Sequence, residues 1–171
     1  MNKNLLYSLT CLAFAIIIGA AVYEHVAVVP QWSAAPPVSL AMFQGQYGLQ
    51  PEPFSKSIHP ATVLLFLITL AMHRKSGRRR PLLVVLSSYI AILVITALYF
   101  VPELIQITTT PVASMPDQNL VQRAAMWEIL SLVRLGILVV LSLVLFNGLT
   151  LTERQASAPK RIVKLAPTAT A

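Results

Sequence analysis

Charge is scarce in this chain. Of its 171 residues only 11% are charged, and just 6 are acidic. A soluble domain usually carries about 25% charged residues. With 56% hydrophobic residues and a mean hydropathy of +0.71, the chain has too few polar groups to cover a folded surface in water. The expected solvent is a lipid bilayer. A single cysteine, Cys11, excludes an internal disulfide and a Cys-rich metal site. It falls inside the first apolar run and reads as a small buried thiol. No internal repeat of fixed period is evident. The net charge of +7 suggests nucleic acid at first sight. Placement argues against it: the basic residues flank apolar runs and form no stripe with aromatics, so nucleic acid is not an expected partner.

What the chain does have is four apolar runs. About 20 such residues cross a hydrocarbon core. The runs predict helices at about 5–29, 57–75, 82–106 and 124–151 within a domain of residues 1–152. The second run is the weakest, since its purely apolar part covers only Pro60 to Met72. It spans if the helix starts near Ser57 and His73, Arg74 and Lys75 snorkel to the interface. The first run also has features of a cleaved signal peptide, with Lys3 and Gly19-Ala20-Ala21, but it is long for that role and is expected to be retained. Residues 153–171 lack apolar periodicity and predict a disordered cytoplasmic tail.

Orientation follows from Lys and Arg. The connection His73 to Pro81 carries five of them, Lys3 precedes the first run, and Arg154, Lys160, Arg161 and Lys164 follow the fourth. In a four-span topology these all fall on one side. The expected fold is therefore all-α, an integral membrane four-helix up-down-up-down bundle, N-in and C-in, multi-pass in the inner (cytoplasmic) membrane. The Arg run reads first as a topology signal and second as a lipid-headgroup site. Between the first two runs, Trp32, Phe43, Tyr47 and Phe54 lie among Pro and Gly. That segment is expected at headgroup depth or over the bundle mouth. Pro36-Pro37 can open a short helix ending near Gly45 or Gly48.

The ionisable residues inside the runs all map to the outer side: Glu24, His25, His59, Glu103, Glu128 and Arg134, with Trp127 beside them. Charges at membrane depth usually face the bundle interior and pair, so these residues are expected to converge on a pocket. Arg123, Trp127, Leu130 and Arg134 share one helix face, being spaced four, three and four apart. Arg134, the deepest charge, needs a partner, and Glu103 and Glu24 are the candidates. Pro102 frees a carbonyl near Leu98, and Pro60 reads as a first-turn proline with His59 near the N-cap. Trp127 is either a pocket wall or an interface anchor.

Three chemistries fit such a set. Two His and three Glu suffice in number for an iron site, but the Glu-x-x-His signature is missing and no metal is expected. His59 or Glu103 can serve as a general base. A structural ion-pair network is the bland alternative. A transporter fits poorly, because four helices are few and the other half of the bundle lacks polar lining. Homo-oligomerisation would lift that objection.

Four landmarks carry a resemblance. They are Val28-Val29-Pro30 ending the first helix, His59-Pro60 opening the second, Val101-Pro102-Glu103 ending the third, and Trp127 with Arg134 seven apart in the fourth. In these the chain resembles the anthrone oxygenase-like four-helix membrane proteins over about residues 5–151. His59 and Ser131 stand where that family often has Asn. The resemblance implies a pocket for a small hydrophobic ligand, oxidised by molecular oxygen with no bound cofactor. His59, Arg134 and Glu103 would be the catalytic residues, and Trp127, Glu128, Glu24 and His25 would bind the ligand. The competing expectation is a non-catalytic module that binds lipid or a partner protein.

Overall fold

A computed structural model describes residues 2–151; the tail expected to be disordered lies outside the described residues. Four helices carry the fold: α1 (Lys3–Ser33), α2 (Glu52–Met72), α3 (Arg79–Thr108) and α4 (Gln118–Thr150). No strand occurs among the described residues. Each helix is long and apolar enough to cross a membrane. The helix faces turned away from the core present Leu9, Leu12 and Ile16 on α1, Leu64 and Leu67 on α2, and Leu132, Val140 and Leu143 on α4, all exposed. An apolar exterior of this extent is stable against lipid and unstable against water.

Local chemistry sets the helix ends. Asp117 caps α4 by accepting from the amides of Asn119 (2.7 Å) and Leu120 (3.3 Å). The helix thus starts six residues before the expected Ala124. α2 begins at Glu52, earlier than Ser57, with Pro53 in its first turn and a Glu52–Lys56 ion pair one turn apart. Pro60 therefore lies inside α2, not at its start, and His59 is two turns from the N-cap.

α1 and α3 share a distortion. Each has one wide π turn, Glu24–Val28 and Thr96–Phe100. The amide of Val29 reaches back five residues to the Glu24 carbonyl, and the amide of Val101 does the same to Thr96. Each turn closes one residue before a proline, Pro30 or Pro102. Proline offers no amide hydrogen and its ring collides with the carbonyl four residues back, so an extra residue in the preceding turn relieves both. Single π turns of this kind recur at functional sites.

α1 packs on α2 and α4, α4 also packs on α3, and α2 packs on α3. One core is built on Tyr7, Phe14, Phe66, Tyr89 and Leu145; a second, toward the other end, joins Trp32, Leu40, Phe100, Ile107 and Trp127. In lipid the hydrophobic effect does not hold helices together, so packing and interhelical hydrogen bonds must. Thr10 and Thr69 hydroxyls meet at 2.7 Å between α1 and α2. The Tyr7 hydroxyl donates to the Leu145 carbonyl of α4 at 2.8 Å.

The segment after α1 closes over the second core. Following Pro37, a 3-10 turn over Val38–Phe43 buries Leu40 and sets Phe43 against Trp32. Gly45, at φ +83°, makes the reversal that ends it. Trp32 is buried, whereas Tyr47 is fully open to the surroundings. The aromatics of this segment are thus divided between its inside and its outside.

Candidate functional site

The deepest charge, Arg134, lies on α4 opposite the π turn of α3. Its guanidinium donates to the Thr96 hydroxyl at 3.1 Å and to the Ser131 hydroxyl at 2.8 Å. Its carbon Cζ sits 4.3 Å from the centroid of the Phe100 ring, a cation–π contact. Thr96 and Phe100 are the first and last residues of that π turn, so the distortion forced by Pro102 presents both to Arg134.

Arg134 does not pair with Glu103. That carboxylate accepts from Arg123 Nε at 2.6 Å, and Arg123 also reaches Gln106 at 2.9 Å. Depth explains the choice: Glu103 is five residues before the end of α3 and Arg123 is five residues after the start of α4. Nor does Glu24 touch Arg134; among the described residues the only ion pairs are Lys56–Glu52 and Arg123–Glu103. Every group in contact with Arg134 is thus neutral, and two of its five N–H donors have protein acceptors.

Arg134 also borders a groove of about 230 Å³ between α3 and α4. Ile92, Ile95, Tyr99 and Phe100 form one wall, and Leu130, Val133 and Ile137 form the other. Arg134 is its only charged lining residue.

Trp127 is buried, 3% exposed. It is the centre of an aromatic cluster. Its indole N–H donates to the Phe100 carbonyl at 3.0 Å, two residues on from the carbonyl near Leu98 expected to serve as an acceptor. Trp32 and Phe100 approach it edge-on at 5.5 and 6.0 Å, and the His25 ring stacks parallel to it at 6.4 Å.

His25 faces inward, while its neighbour Glu24 is half-buried. His25 Nδ1 donates to the Ala21 carbonyl at 2.8 Å. Its Nε2 is buried and has no hydrogen-bond partner among the described residues. Glu128 accepts from the Ser33 hydroxyl at 3.1 Å, which ties α4 to the end of α1. His59 lies apart from the groove lining; its Nδ1 shares a 2.7 Å hydrogen bond with the Tyr89 hydroxyl.

The seven expected residues therefore divide. Trp127 and His25 stack together, Glu128 bonds to Ser33, Glu103 pairs with Arg123, His59 pairs with Tyr89, Arg134 borders the groove, and Glu24 makes no ion pair among the described residues. Among the described residues, no three His, Cys, Asp or Glu side chains converge closely enough to hold a metal ion.

Sequence reasoning missed the polar groups at the opposite end. His73, expected to snorkel, is 1% exposed, with Nδ1 donating to the Thr69 carbonyl at 2.9 Å and the ring edge-on to Tyr7. Arg78, one of the run of arginines, is buried as well. It donates to Asn4 Oδ1 at 2.7 Å and to the carbonyls of Leu149 and Leu151 at 3.1 Å each. The available signal was Asn4 and Tyr7, two polar side chains one turn apart in a run otherwise ready for lipid.

Comparison with family models, with curated proteins and with solved structures finds no match for this chain.

Proposed function

We propose that the chain is a multi-pass protein of the inner membrane whose α3–α4 groove binds a small amphipathic acid. The helices run up-down-up-down with both termini on the cytoplasmic side. Supporting this, Arg78 gathers Asn4, the α2–α3 connection and the end of α4 at one end of the bundle. Lys3 and the basic connection fall at that end, and a surplus of Lys and Arg marks the cytoplasmic side.

The observation that carries the ligand class is Arg134: a cation at membrane depth, bordering an apolar groove and contacted only by neutral groups. A buried charge is costly without an opposite charge. A carboxylate, phenolate or enolate whose hydrocarbon body lies along Ile92, Ile95 and Ile137 supplies both the anion and the apolar surface. About 230 Å³ suits a body of one to three rings or a short acyl chain.

Anthrone-type carbon acids belong to this ligand class, and the resemblance in the prolines, Trp127 and Arg134 supports them. Arg134 would hold the enolate, which molecular oxygen then attacks. The substrate would enter the groove as its enolate, because His59, hydrogen-bonded to Tyr89, lies apart from the groove lining.

Brominated dodecanoate tests the binding step, because bromine quenches indole fluorescence at short range and Trp127 packs directly behind Phe100, which lines the groove. Saturable quenching in detergent is expected. Arg134→Gln should weaken it at least tenfold, and Arg123→Gln should leave it within about twofold. Equal quenching in wild type and Arg134→Gln would remove the assignment.

A further inference from the structure

The connection between α2 and α3 holds five Lys and Arg within nine residues. A topology signal needs only their number. Their arrangement is more specific. Arg78 points inward and is fixed by three acceptors on two other segments. With it anchored, Arg74, Lys75, Arg79 and Arg80 line a concavity of about 560 Å³ together with Ser76, Gly77 and Leu83. No residue lines both this cavity and the Arg134 groove.

Three properties define what fits there. The lining contains four cationic side chains and no acidic one. Among the described residues none of the four pairs with a carboxylate. α3 begins at Arg79 with no side-chain cap, so the positive end of its dipole adds to the field. Four like charges around one hollow repel one another until an anion enters, and Arg and Lys side chains suit phosphate oxygens. Leu83, exposed one turn into α3, gives the hollow an apolar lip where the spanning helix begins. A phosphate site bounded on one side by the apolar face of a span has the layout of a lipid headgroup site.

We propose that this cavity is a phosphate-binding site that takes the headgroup of an anionic phospholipid, with the acyl chains leaving past Leu83.

The test is native mass spectrometry of the full chain in mild detergent. Phosphatidylglycerol and phosphatidylcholine of matched acyl chains are supplied in equal amounts, and pyrophosphate is supplied in a separate arm. Preferential retention of phosphatidylglycerol is expected. Each cation near the surface is worth about fivefold, so R79Q/R80Q should cut the preference roughly 25-fold. R74Q/K75Q, which removes the other two lining cations, should do the same, which guards against misfolding of a single variant. K56Q, which removes a cation outside the cavity, should change nothing. Tight pyrophosphate binding that R79Q/R80Q abolishes, with no lipid preference, would support the phosphate site and assign it a soluble ligand. Equal retention of both lipids without pyrophosphate binding overturns the proposal. So does a phosphatidylglycerol preference that survives in both double variants.

Discussion

Phe100 serves Trp127 and Arg134 at once. Its carbonyl accepts the Trp127 indole N–H at 3.0 Å, and its ring lies 4.3 Å from the Arg134 guanidinium carbon. The residue ends the π turn that Pro102 imposes on α3. One proline thus aligns a backbone acceptor with the aromatic cluster and a ring face with the groove.

Trp127→Phe keeps an aromatic ring in the cluster and removes the N–H donor. Hydrogen bonds between membrane helices average about 0.6 kcal/mol and reach about 1.7 kcal/mol. This one is buried between two aromatic residues, so a loss near the upper figure is expected in reversible unfolding in detergent. Trp127→Ala also opens a cavity and should cost about 3–5 kcal/mol. Equal losses in the two variants would mean that the hydrogen bond, not the ring, dominates.

Arg134 and Arg123 should separate in stability as they do in contacts. Arg134→Met removes a cation that no carboxylate touches, so the thermal midpoint should hold or rise. Arg123→Met leaves Glu103 without its 2.6 Å partner. Both members of that pair are partly exposed, which limits the expected loss to about 1 kcal/mol. A midpoint that falls sharply in Arg134→Met would give Arg134 a structural role and weaken the ligand reading.

The four spans were legible because hydropathy accumulates over about 20 residues and tolerates local error. The short helical turn after α1 was legible from Pro36-Pro37 and Gly45, whose backbone limits act locally. The pairing of charges was not, because contact depends on helix rotation and depth together. Arg123 and Arg134 share a face, so periodicity alone offers either to Glu103. At 1.5 Å per residue they differ in depth by about 16 Å, and only the helix ends reveal which one is level with the carboxylate. The start of α4 was placed at Ala124, six residues late, and that error hid the match. His59 was misplaced for a similar reason: Pro60 is acceptable in a first turn, and the earlier turns of α2, polar and proline-bearing, do not look like a span.

Arg78 and Arg79 are adjacent, yet they should respond differently to the same change. Arg78 uses Nε, Nη1 and Nη2 on three separate acceptors, a fan that a lysine ammonium at one point cannot reproduce. Hydrogen bonds to charged groups are worth about 1.5–3 kcal/mol, and Arg78→Lys should lose at least one. Arg79 is exposed and makes no side-chain bond among the described residues, so Arg79→Lys should be neutral within about 0.5 kcal/mol. Denaturant unfolding of the two variants side by side is the measurement. Equal stability would mean that the three acceptors find water as readily as Arg78.

Gly148 makes room for Tyr7, and the two should be coupled. A Cβ at Gly148 would overlap the Tyr7 hydroxyl and approach its Cζ to 2.9 Å. That hydroxyl cannot swing aside freely, because it donates to Leu145 at 2.8 Å within the core. Gly148→Ala alone should therefore destabilise by about 1–3 kcal/mol, despite the better helix propensity of alanine. Tyr7→Phe alone loses the hydrogen bond, about 0.6–1.7 kcal/mol. In the double variant the clash with the hydroxyl is gone, and the close contacts with Cζ and with Pro81 Cγ at 3.3 Å remain. Its loss should fall short of the sum of the two single losses by at least about 0.5 kcal/mol, the size expected for residues in contact. Additive losses would mean that α1 and α4 move apart to admit the methyl group, so that Gly148 does not set their separation.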